Sequence, residues 1–505
     1  MSDWMRHIES FFVYNEAKPF LFTQIVFWFF FAAILLGYSF FYKNFRWRAL
    51  FLLISSWLFY YKTSGLFLLL LIFSVLFNYS VGRKIAESKV AKPWMITGVI
   101  VNLLILGYFK YAYFFTNTYN QLFDSHFQVV NWLAKWHNNW LGTHFDIDNI
   151  ILPVGISFFT FQAVSYLLDL YWKKIQPEKN LLYFGFYLSF FPQLVAGPIV
   201  RAATFLPQIR IPYRITKTDC NHAFFMLSKG LIKKIVISDF IAVNFVDRVF
   251  DAPHLYSGVE SVMALYGYAL QIYCDFSGYS NMAIGLALLL GFRLPYNFNS
   301  PYKAHNLTNF WHRWHISLSL WLRDYLYIPL GGNRKSAVRT DLNLVVTMLL
   351  GGLWHGAHLR FIIWGLAHGL GLIVQKWWAK LISNRVKITV MSKWVGMIIT
   401  FHFVTLLWLI FRVESWQKLQ VIFYQIKTYF WPESVAEWAV QQYQIIGMMV
   451  LGFLLHWLPT ALKEKLRGYW VRSPWWGMVL ILYVVGVLLF VFSQSEQLPF
   501  IYFRF

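Results

Sequence analysis

Apolar runs recur along almost the whole chain, and no other feature constrains its fold as strongly. Hydrophobic residues make up 58% of the 505 residues and charged residues only 13%, whereas about a quarter of an ordinary soluble domain is charged. A helix that crosses a bilayer needs about 20 mostly apolar residues. We therefore predict an all-α polytopic membrane protein with about 11 transmembrane helices, plus re-entrant or short helices.

The run Leu181–Val200 differs from the others because it contains Pro192, Gly197 and Pro198. These residues interrupt a helix, so we expect this run to re-enter the membrane instead of crossing it. The full set of runs is Ile25–Tyr42, Ala49–Tyr61, Leu66–Tyr79, Trp94–Phe109, Ile151–Trp172, Leu181–Val200, Ala223–Val243, Val262–Leu290, Leu342–Leu353, Phe361–Val374, Trp394–Phe411, Gln444–Leu458 and Trp476–Val491.

The formal net charge of +22 would suit a nucleic-acid binder, but its distribution argues against one. The basic residues form short clusters between apolar runs, at 43–48, 83–92 and 463–472. Cytoplasmic loops of membrane proteins carry such clusters. We therefore predict an inner-membrane protein in contact with lipid, with both termini extracytoplasmic. Residues 1–505 would form one membrane domain, including an amphipathic N-terminal segment (1–22) and a C-terminal tail motif (495–505).

Two segments place polar side chains among apolar ones. Asn309–Arg334 reads NFWHRWHISLSLWLRDYLYIPLGGNR, and further on LLGGLWHGA contains His355. Burying a charged group in a bilayer costs about 2.5–3.5 kcal/mol on insertion scales, so these groups imply a polar cavity or partner groups. A neutral imidazole at His355 is suited to act as a general base on a hydroxyl. A structural, hydrogen-bonded histidine is the alternative for each position.

Histidine spacing also raises the question of a metal site. His312 with His315, and His355 with His358, could each face one way on a helix and resemble metal ligands. No carboxylate or cysteine accompanies either pair, and Cys220 and Cys274 show no metal-ligand spacing. We therefore predict neither a metal site nor a disulfide framework.

Several blocks, in one order along the chain, resemble the membrane-bound O-acyltransferase family. They are LPVGISFFTFQAVSYLLDLY (152–171), FFPQLVAGPIVR (190–201), QIYCDFSGYSNMAIG (271–285), FWHRWHISLS with WLRDYLYIPLGG, and GGLWHGA. The resemblance spans nearly the whole chain, from Phe45 to Phe505. It is to the bacterial branch that O-acetylates alginate or peptidoglycan, or transfers D-alanine to teichoic acid.

The resemblance implies a central tunnel and a role for each matching residue. His355 matches the family's catalytic histidine, and His315 matches a second polar position that is Asn in the sterol and diglyceride branches. His355 would deprotonate the acceptor hydroxyl, while His315 would orient the thioester or stabilise the oxyanion. The tunnel lining would include Asp275 and Trp354. Phosphates of coenzyme A would be bound by Arg313, Arg323 and Arg334, although topology and lipid contacts explain these arginines equally well.

The chain ends in FIYFRF (500–505), which resembles the F-x-Y-x-x-F motif of glycan-acylating members of this branch. In that interpretation the hydroxyl of Tyr502 takes the acyl group through His355 and passes it outward. The alternative is an aromatic tail that anchors at the membrane interface.

Together these features predict transfer of an acyl group, most simply acetyl from acetyl-coenzyme A, to an exported polysaccharide. We expect an extracytoplasmic SGNH-esterase-like protein as a partner. Two other classes stay open. A transporter or flippase would explain many spans and buried polar groups, and a D-alanyl or protein acyltransferase would use the same family chemistry.

Overall fold

A computed structural model describes residues 20–141, 146–195, 197–382, 389–492 and 498–501. Within these ranges the secondary structure consists of helices and turns, with no β-strand. The all-α class is therefore confirmed. Most of the predicted N-terminal segment and Tyr502 lie outside the described residues.

The helices follow one another with short connections. The first half contains α1 (Ile25–Phe41), α2 (Phe45–Ser64), α3 (Leu68–Glu87), α4 (Ala91–Phe123), α5 (Trp132–Leu141), α6 (Ile156–Tyr171), α7 (Leu181–Ser189), α8 (Phe191–Leu194), α9 (Ala202–Ile209), α10 (Lys217–Leu231), α11 (Asp247–Asp251) and α12 (Gly258–Leu289). The second half contains α13 (Leu307–Trp311), α14 (Ile316–Leu322), α15 (Ala337–His355), α16 (Leu359–Ile382), α17 (Val390–Arg412), α18 (Trp416–Thr428), α19 (Ser434–Gln441), α20 (Tyr443–Trp457), α21 (Thr460–Arg472) and α22 (Trp475–Phe492).

Short helices of other types join some of these elements. π-Helical segments lie at Ile232–Asp239, Ala242–Val246 and Arg323–Tyr327, and 3₁₀ turns lie at Gly65–Phe67, Pro253–Leu255 and Pro301–Lys303. π-Helical turns occur often at functional sites in helical proteins.

Four helical stretches of the described part are long and apolar enough to cross a membrane: Phe45–Glu87, Ala91–Phe123, Val390–Arg412 and Trp475–Phe492. The pair formed by α19 and α20, bent by 94°, would make a fifth if it acts as one broken span. This supports a multi-pass membrane protein, while the count of about 11 spans stays a prediction.

The long helix α12 shows why helix length and apolar composition give different numbers of predicted transmembrane spans. Its 32 residues rise about 48 Å, more than the hydrocarbon thickness of a bilayer. Nearly all of them are buried, including the polar side chains of Gln271, Asp275 and Asn281. α12 is therefore a core helix wrapped by others, and its polar residues dilute the apolar pattern that marks a lipid-facing span.

The run Leu181–Val200 does not form one helix. It breaks after α7 at Phe190, whose extended ψ of 110° interrupts the helix, and α8 begins with Pro192 in its first turn. Proline suits the first turn of a helix, where its missing N–H needs no partner. Both short helices are buried, as expected for a segment that does not cross the membrane as a single span.

Glycines let α15 and α16 approach each other closely near the C-terminal end of α15. A Cβ atom at Gly352 would lie 2.2 Å from the carbonyl oxygen of Phe361, and one at Gly365 would lie 2.3 Å from that of Met348. Only glycine fits at such distances, because backbone atoms cannot move aside as a flexible side chain does. This close contact sets the position of His355, the last residue of α15.

We expect Gly352→Ala to destabilise the protein by about 1–3 kcal/mol, because the added methyl group must push the backbone of α16 away. Thermal unfolding of the purified protein in detergent measures this as a lower Tm. Gly447→Ala and Gly486→Ala are matched controls, since nothing lies within 4 Å of a Cβ at either position. Equal Tm values for all three variants would contradict the proposed packing.

Candidate active site

His355 ends α15 and is buried, with 3% of its surface exposed. Three aromatic rings surround its imidazole, with centroids 5.1 Å away for Trp354, 5.1 Å for Trp364 and 5.3 Å for Phe411. These rings exclude water and hold the imidazole in place, so a reaction at His355 would take place in a dry, preorganised environment.

The end of α15 is held from α4. The ammonium of Lys110 donates to the carbonyl oxygens of Trp354, at 2.6 Å, and His355, at 3.1 Å. The hydroxyl of Tyr111 donates to the carbonyl oxygen of Leu353 at 2.8 Å. The last carbonyls of a helix lack partners within it, and a cation there is favourable. Lys110 and Tyr111 therefore fix the backbone that carries His355.

His315 is fully buried and has a left-handed backbone, with φ 42° and ψ 55°. It lies at the sharp junction between α13 and α14. Such a conformation costs about 1–3 kcal/mol and persists only where neighbouring structure enforces it. Strained residues of this kind cluster at active sites and ligand-binding sites.

Asn297 stabilises this backbone conformation through hydrogen bonds. Its backbone carbonyl accepts from the N–H of Ile316 at 3.0 Å. Its side-chain oxygen accepts from both the N–H and the hydroxyl of Ser317, at 3.0 and 2.9 Å. Ser317 Oγ in turn accepts the N–H of Ile199 at 3.0 Å. The turn that presents His315 is thus bonded on both sides.

The structure brings His315 and His355 together although 40 positions separate them. Trp354 contacts both, with its ring centroid 5.8 Å from that of His315 and 5.1 Å from that of His355. Both imidazoles are buried. Trp354 also stacks on Phe161 at 5.4 Å, which places it in the wall of a buried aromatic layer.

A cavity lies beside Trp354, at the start of α6. Its lining includes Lys110, Pro153, Gly155, Phe158 and Trp354. Mostly apolar pockets with a few polar groups are typical sites for small molecules. This cavity reaches Trp354, whose ring contacts both histidines.

The three arginines predicted to bind coenzyme A do not form one cluster. Arg313 donates to Asn309 and to the carbonyl of Asn299. Arg323 pairs with Asp324 at 2.7 Å, and the same carboxylate also binds Arg201. Arg334 lies exposed on the loop after the π-helical segment Arg323–Tyr327. A common role for all three arginines in binding one phosphate group has no support in this arrangement.

Asp275 is predicted, together with Trp354, to line the tunnel, but it has different contacts. It is buried on α12, where it pairs with Lys234 at 2.6 Å and accepts the N–H of Ile501 at 2.8 Å. The next residue, Phe276, has its ring 4.6 Å from that of His315. Asp275 therefore connects the C-terminal segment to the surroundings of His315.

Sequence reasoning missed Lys110, Asn297, Lys234 and Asp239. Two of them carried a usable signal. Lys234 belongs to a pair of lysines inside the apolar run Ala223–Val243, and Lys110 follows directly on the run Trp94–Phe109; a lysine among apolar residues implies a buried partner. Asn297 carried no signal in the sequence, because its role depends on contacts with a turn that is distant along the chain.

Within the described ranges, no group of three or more histidine, cysteine or acidic side chains lies close enough to hold a metal ion. The pairs His312/His315 and His355/His358 thus gain no additional ligand there.

Comparison with known proteins adds an independent observation. Residues 99–415, which include both His315 and His355, match the sequence model of the membrane-bound O-acyltransferase family. The chain is 40% identical to probable alginate O-acetylase AlgI of Pseudomonas aeruginosa over 412 residues, which cover 80% of this chain and 75% of the relative. It is 38% identical to peptidoglycan O-acetyltransferase of Helicobacter pylori over 402 residues, 74% of this chain and 72% of the relative. Teichoic acid D-alanyltransferase of Bacillus subtilis is 29% identical over 281 residues, 52% of this chain and 69% of the relative.

Proposed function

The chain belongs to the membrane-bound O-acyltransferase family, and from that membership we propose that it moves an acetyl group from a cytoplasmic thioester to an extracytoplasmic polysaccharide. The observation behind this proposal is the meeting of His315 and His355 around Trp354 in a buried, aromatic site. The relatives of 38–40% identity are named for acetyl transfer to alginate or peptidoglycan, which favours acetyl over D-alanyl.

The chemistry assigned to the site is a single acyl transfer. His355 accepts the proton of an acceptor hydroxyl while the oxygen attacks the thioester carbonyl carbon. Negative charge moves onto the carbonyl oxygen, and an imidazole N–H of His315 donates to it. The carbon–sulfur bond then breaks, and the departing sulfur takes the proton from His355. An ester and a free thiol result, and His355 is neutral again.

The donor would approach through a group of basic side chains below α12. Lys463 lies within electrostatic range of Lys229, Lys233 and Lys303, and Lys303 lies within electrostatic range of Arg313. Lys233 also donates to Tyr273 and Ser277 on α12. Cations converging in this way suit the phosphates of acetyl-coenzyme A. Arg313 thus keeps the proposed role in donor binding, while the same role for Arg323 and Arg334 rests only on their charge.

We expect Lys229→Gln to raise the KM for acetyl-coenzyme A about three- to tenfold, since one charge-assisted phosphate contact contributes on the order of 1 kcal/mol. kcat should change little, because a contact with the donor phosphates is made equally in the ground state and in the transition state. Steady-state kinetics with acetyl-coenzyme A measure both constants. Lys92→Gln, in another basic cluster, is the control, and an equal rise in KM for both variants would rule out a specific donor site at Lys229.

The acceptor side carries the proposed relay. Tyr502 would receive the acetyl group first, and a serine of an extracytoplasmic SGNH-esterase-like partner or a glycan hydroxyl would receive it next. A tyrosine hydroxyl has a pKa of about 10, so phenolate leaves more readily than an alkoxide and onward transfer is favourable. This route requires an inner-membrane location with the C-terminus outside, as the basic clusters predict.

Purified protein incubated with acetyl-coenzyme A labelled in its acetyl group provides the test. We expect a labelled acetyl group on the intact chain or on added polysaccharide. The comparison donor is a D-alanyl thioester on a phosphopantetheine carrier protein. Transfer from the D-alanyl donor alone would overturn the acetyl assignment, and transfer from neither donor to polysaccharide, partner or chain would overturn the proposal as a whole.

A further inference from the structure

The C-terminal segment 498–501 enters the helical core. Leu498 and Pro499 are half-buried, whereas Phe500 is fully buried and Ile501 is 6% exposed. A segment this close to a chain terminus is ordinarily poorly ordered unless specific contacts hold it. Such contacts are present, and they are unusual in kind.

A buried group of three charges lies where the segment enters; we call Lys234, Asp239 and Asp275 the tail site. The ammonium of Lys234 lies 2.7 Å from Asp239 and 2.6 Å from Asp275. All three side chains are at most 4% exposed. Buried charges require well-aligned partners, and here some of those partners belong to the C-terminal segment.

The tail site recognises the main chain of the segment. The N–H of Ile501 donates to Asp275 at 2.8 Å. The carbonyl of Pro499 lies 3.5 Å from the ammonium of Lys234. Between these two groups, the ring of Phe500 contacts those of Phe276 and Tyr279, with centroids 5.4 and 4.6 Å apart. Two main-chain contacts with one aromatic anchor between them resemble the way a bound peptide is recognised.

We propose that Lys234, Asp239 and Asp275 form a peptide-binding site for the C-terminal segment of this chain, and that they act as positioning residues for Tyr502. Apolar packing alone would allow the segment to slide. A carboxylate that accepts one particular N–H fixes its register.

The location of the tail site indicates its role in positioning Tyr502, and this role rests on the proposed acyl transfer. Phe276 contacts both the ring of Phe500 and that of His315, so the bound segment ends next to the candidate active site. Tyr502 is joined directly to Ile501, and adjacent Cα atoms are about 3.8 Å apart. Holding Ile501 therefore limits how far the Tyr502 hydroxyl can move from the histidines.

A cysteine reporter at position 501 tests the tail site without any measurement of activity. The full chain carries Cys220→Ser, Cys274→Ala and Ile501→Cys, and a membrane-impermeant maleimide is applied from outside. The reporter keeps the main-chain N–H that Asp275 accepts. We expect slow labelling in this parent, and labelling at least about tenfold faster after Asp275→Asn, because release of the segment exposes the cysteine. One carboxylate oxygen of Asp275 faces Lys234 and the other accepts from Ile501, whereas an amide has an oxygen on one side only and an NH₂ group on the other.

Lys233→Met is the matched control. Lys233 is next to Lys234 but donates to Tyr273 and Ser277, so its loss should leave the labelling rate of the reporter cysteine unchanged. Leu255→Cys, at a 71% exposed position, gives the rate for a fully accessible cysteine. The proposal fails if the parent is labelled as fast as this reference, or if Asp275→Asn is labelled as slowly as the parent.

Hydrogen exchange of the unmodified chain covers the case in which Asp275→Asn does not fold. The amide of Ile501 should exchange at least about a hundredfold more slowly than an open amide, since its hydrogen bond is buried. Exchange at the rate of an open loop would overturn the tail site. Neither readout requires acyl transfer, so an inactive protein with a protected Ile501 would contradict the proposed function and leave the tail site standing.

Discussion

Replacing His355 by alanine should lower acetyl transfer to polysaccharide by roughly 10²–10⁴-fold, the contribution typical of a positioned general base. The side chain is buried within a cage of Trp354, Trp364 and Phe411. No other imidazole among the described residues has the same three ring contacts. The loss should appear in kcat, because the hydroxyl proton is removed in the transition state. Steady-state transfer from labelled acetyl-coenzyme A measures it.

His358→Ala provides the control for His355→Ala. His358 lies three residues further on but is exposed, and no role in the site is assigned to it. It should retain the parent rate. Because removal of a buried ring leaves a cavity, the Tm of His355→Ala must also be compared with that of the parent. An inserted, folded His355→Ala protein with full activity would show that the base is another group.

Tyr502→Phe should abolish the acetyl adduct on the intact chain and reduce glycan acetylation to the level of His355→Ala. The substitution keeps the aromatic ring and removes only the hydroxyl that would form the ester. The tail site should still hold the segment, because its contacts with Pro499 and Ile501 are to the main chain and are unchanged by the substitution. Intact mass spectrometry after incubation with acetyl-coenzyme A reports the adduct.

Tyr483→Phe removes a hydroxyl from an exposed position of α22 and should change neither readout. Two results would separate the alternatives for Tyr502. Loss of the adduct together with loss of glycan acetylation supports a covalent relay. Unchanged glycan acetylation in Tyr502→Phe would reduce the tail to an aromatic anchor and indicate direct transfer from the donor to the final acceptor.

The membrane class follows from composition because long apolar runs with few charges have hardly any other stable fold. The number of spans does not follow in the same way. α12 carries buried Gln271, Asp275 and Asn281, which weaken its apolar pattern although it is long enough to cross a bilayer. α12 contains most of the apolar run Val262–Leu290, but its sequence does not show whether it faces lipid or is surrounded by other helices.

The candidate site shows a similar division. His315 and His355 attract attention because each is a polar group in an apolar segment. Their meeting around Trp354 depends on how α14 and α15 pack, which no local pattern encodes. The three arginines show how little closeness in sequence says about shared contacts. Arg313, Arg323 and Arg334 are close in sequence, yet the π-helical segment and the loop that follows send them to different surroundings.

The left-handed backbone at His315 restricts which amino acids can occupy that position. Asparagine, aspartate and histidine are several-fold enriched among the non-glycine residues that adopt this conformation, whereas β-branched residues are outliers there. The family resemblance implies Asn or His at this position, and both belong to the enriched group. The left-handed backbone thus limits the amino acids that can occupy position 315, whatever their role in the reaction. Substitutions at position 315 that keep this backbone conformation are therefore limited to two or three side chains. A different type of residue there would require a different turn in place of the one that Asn297 stabilises.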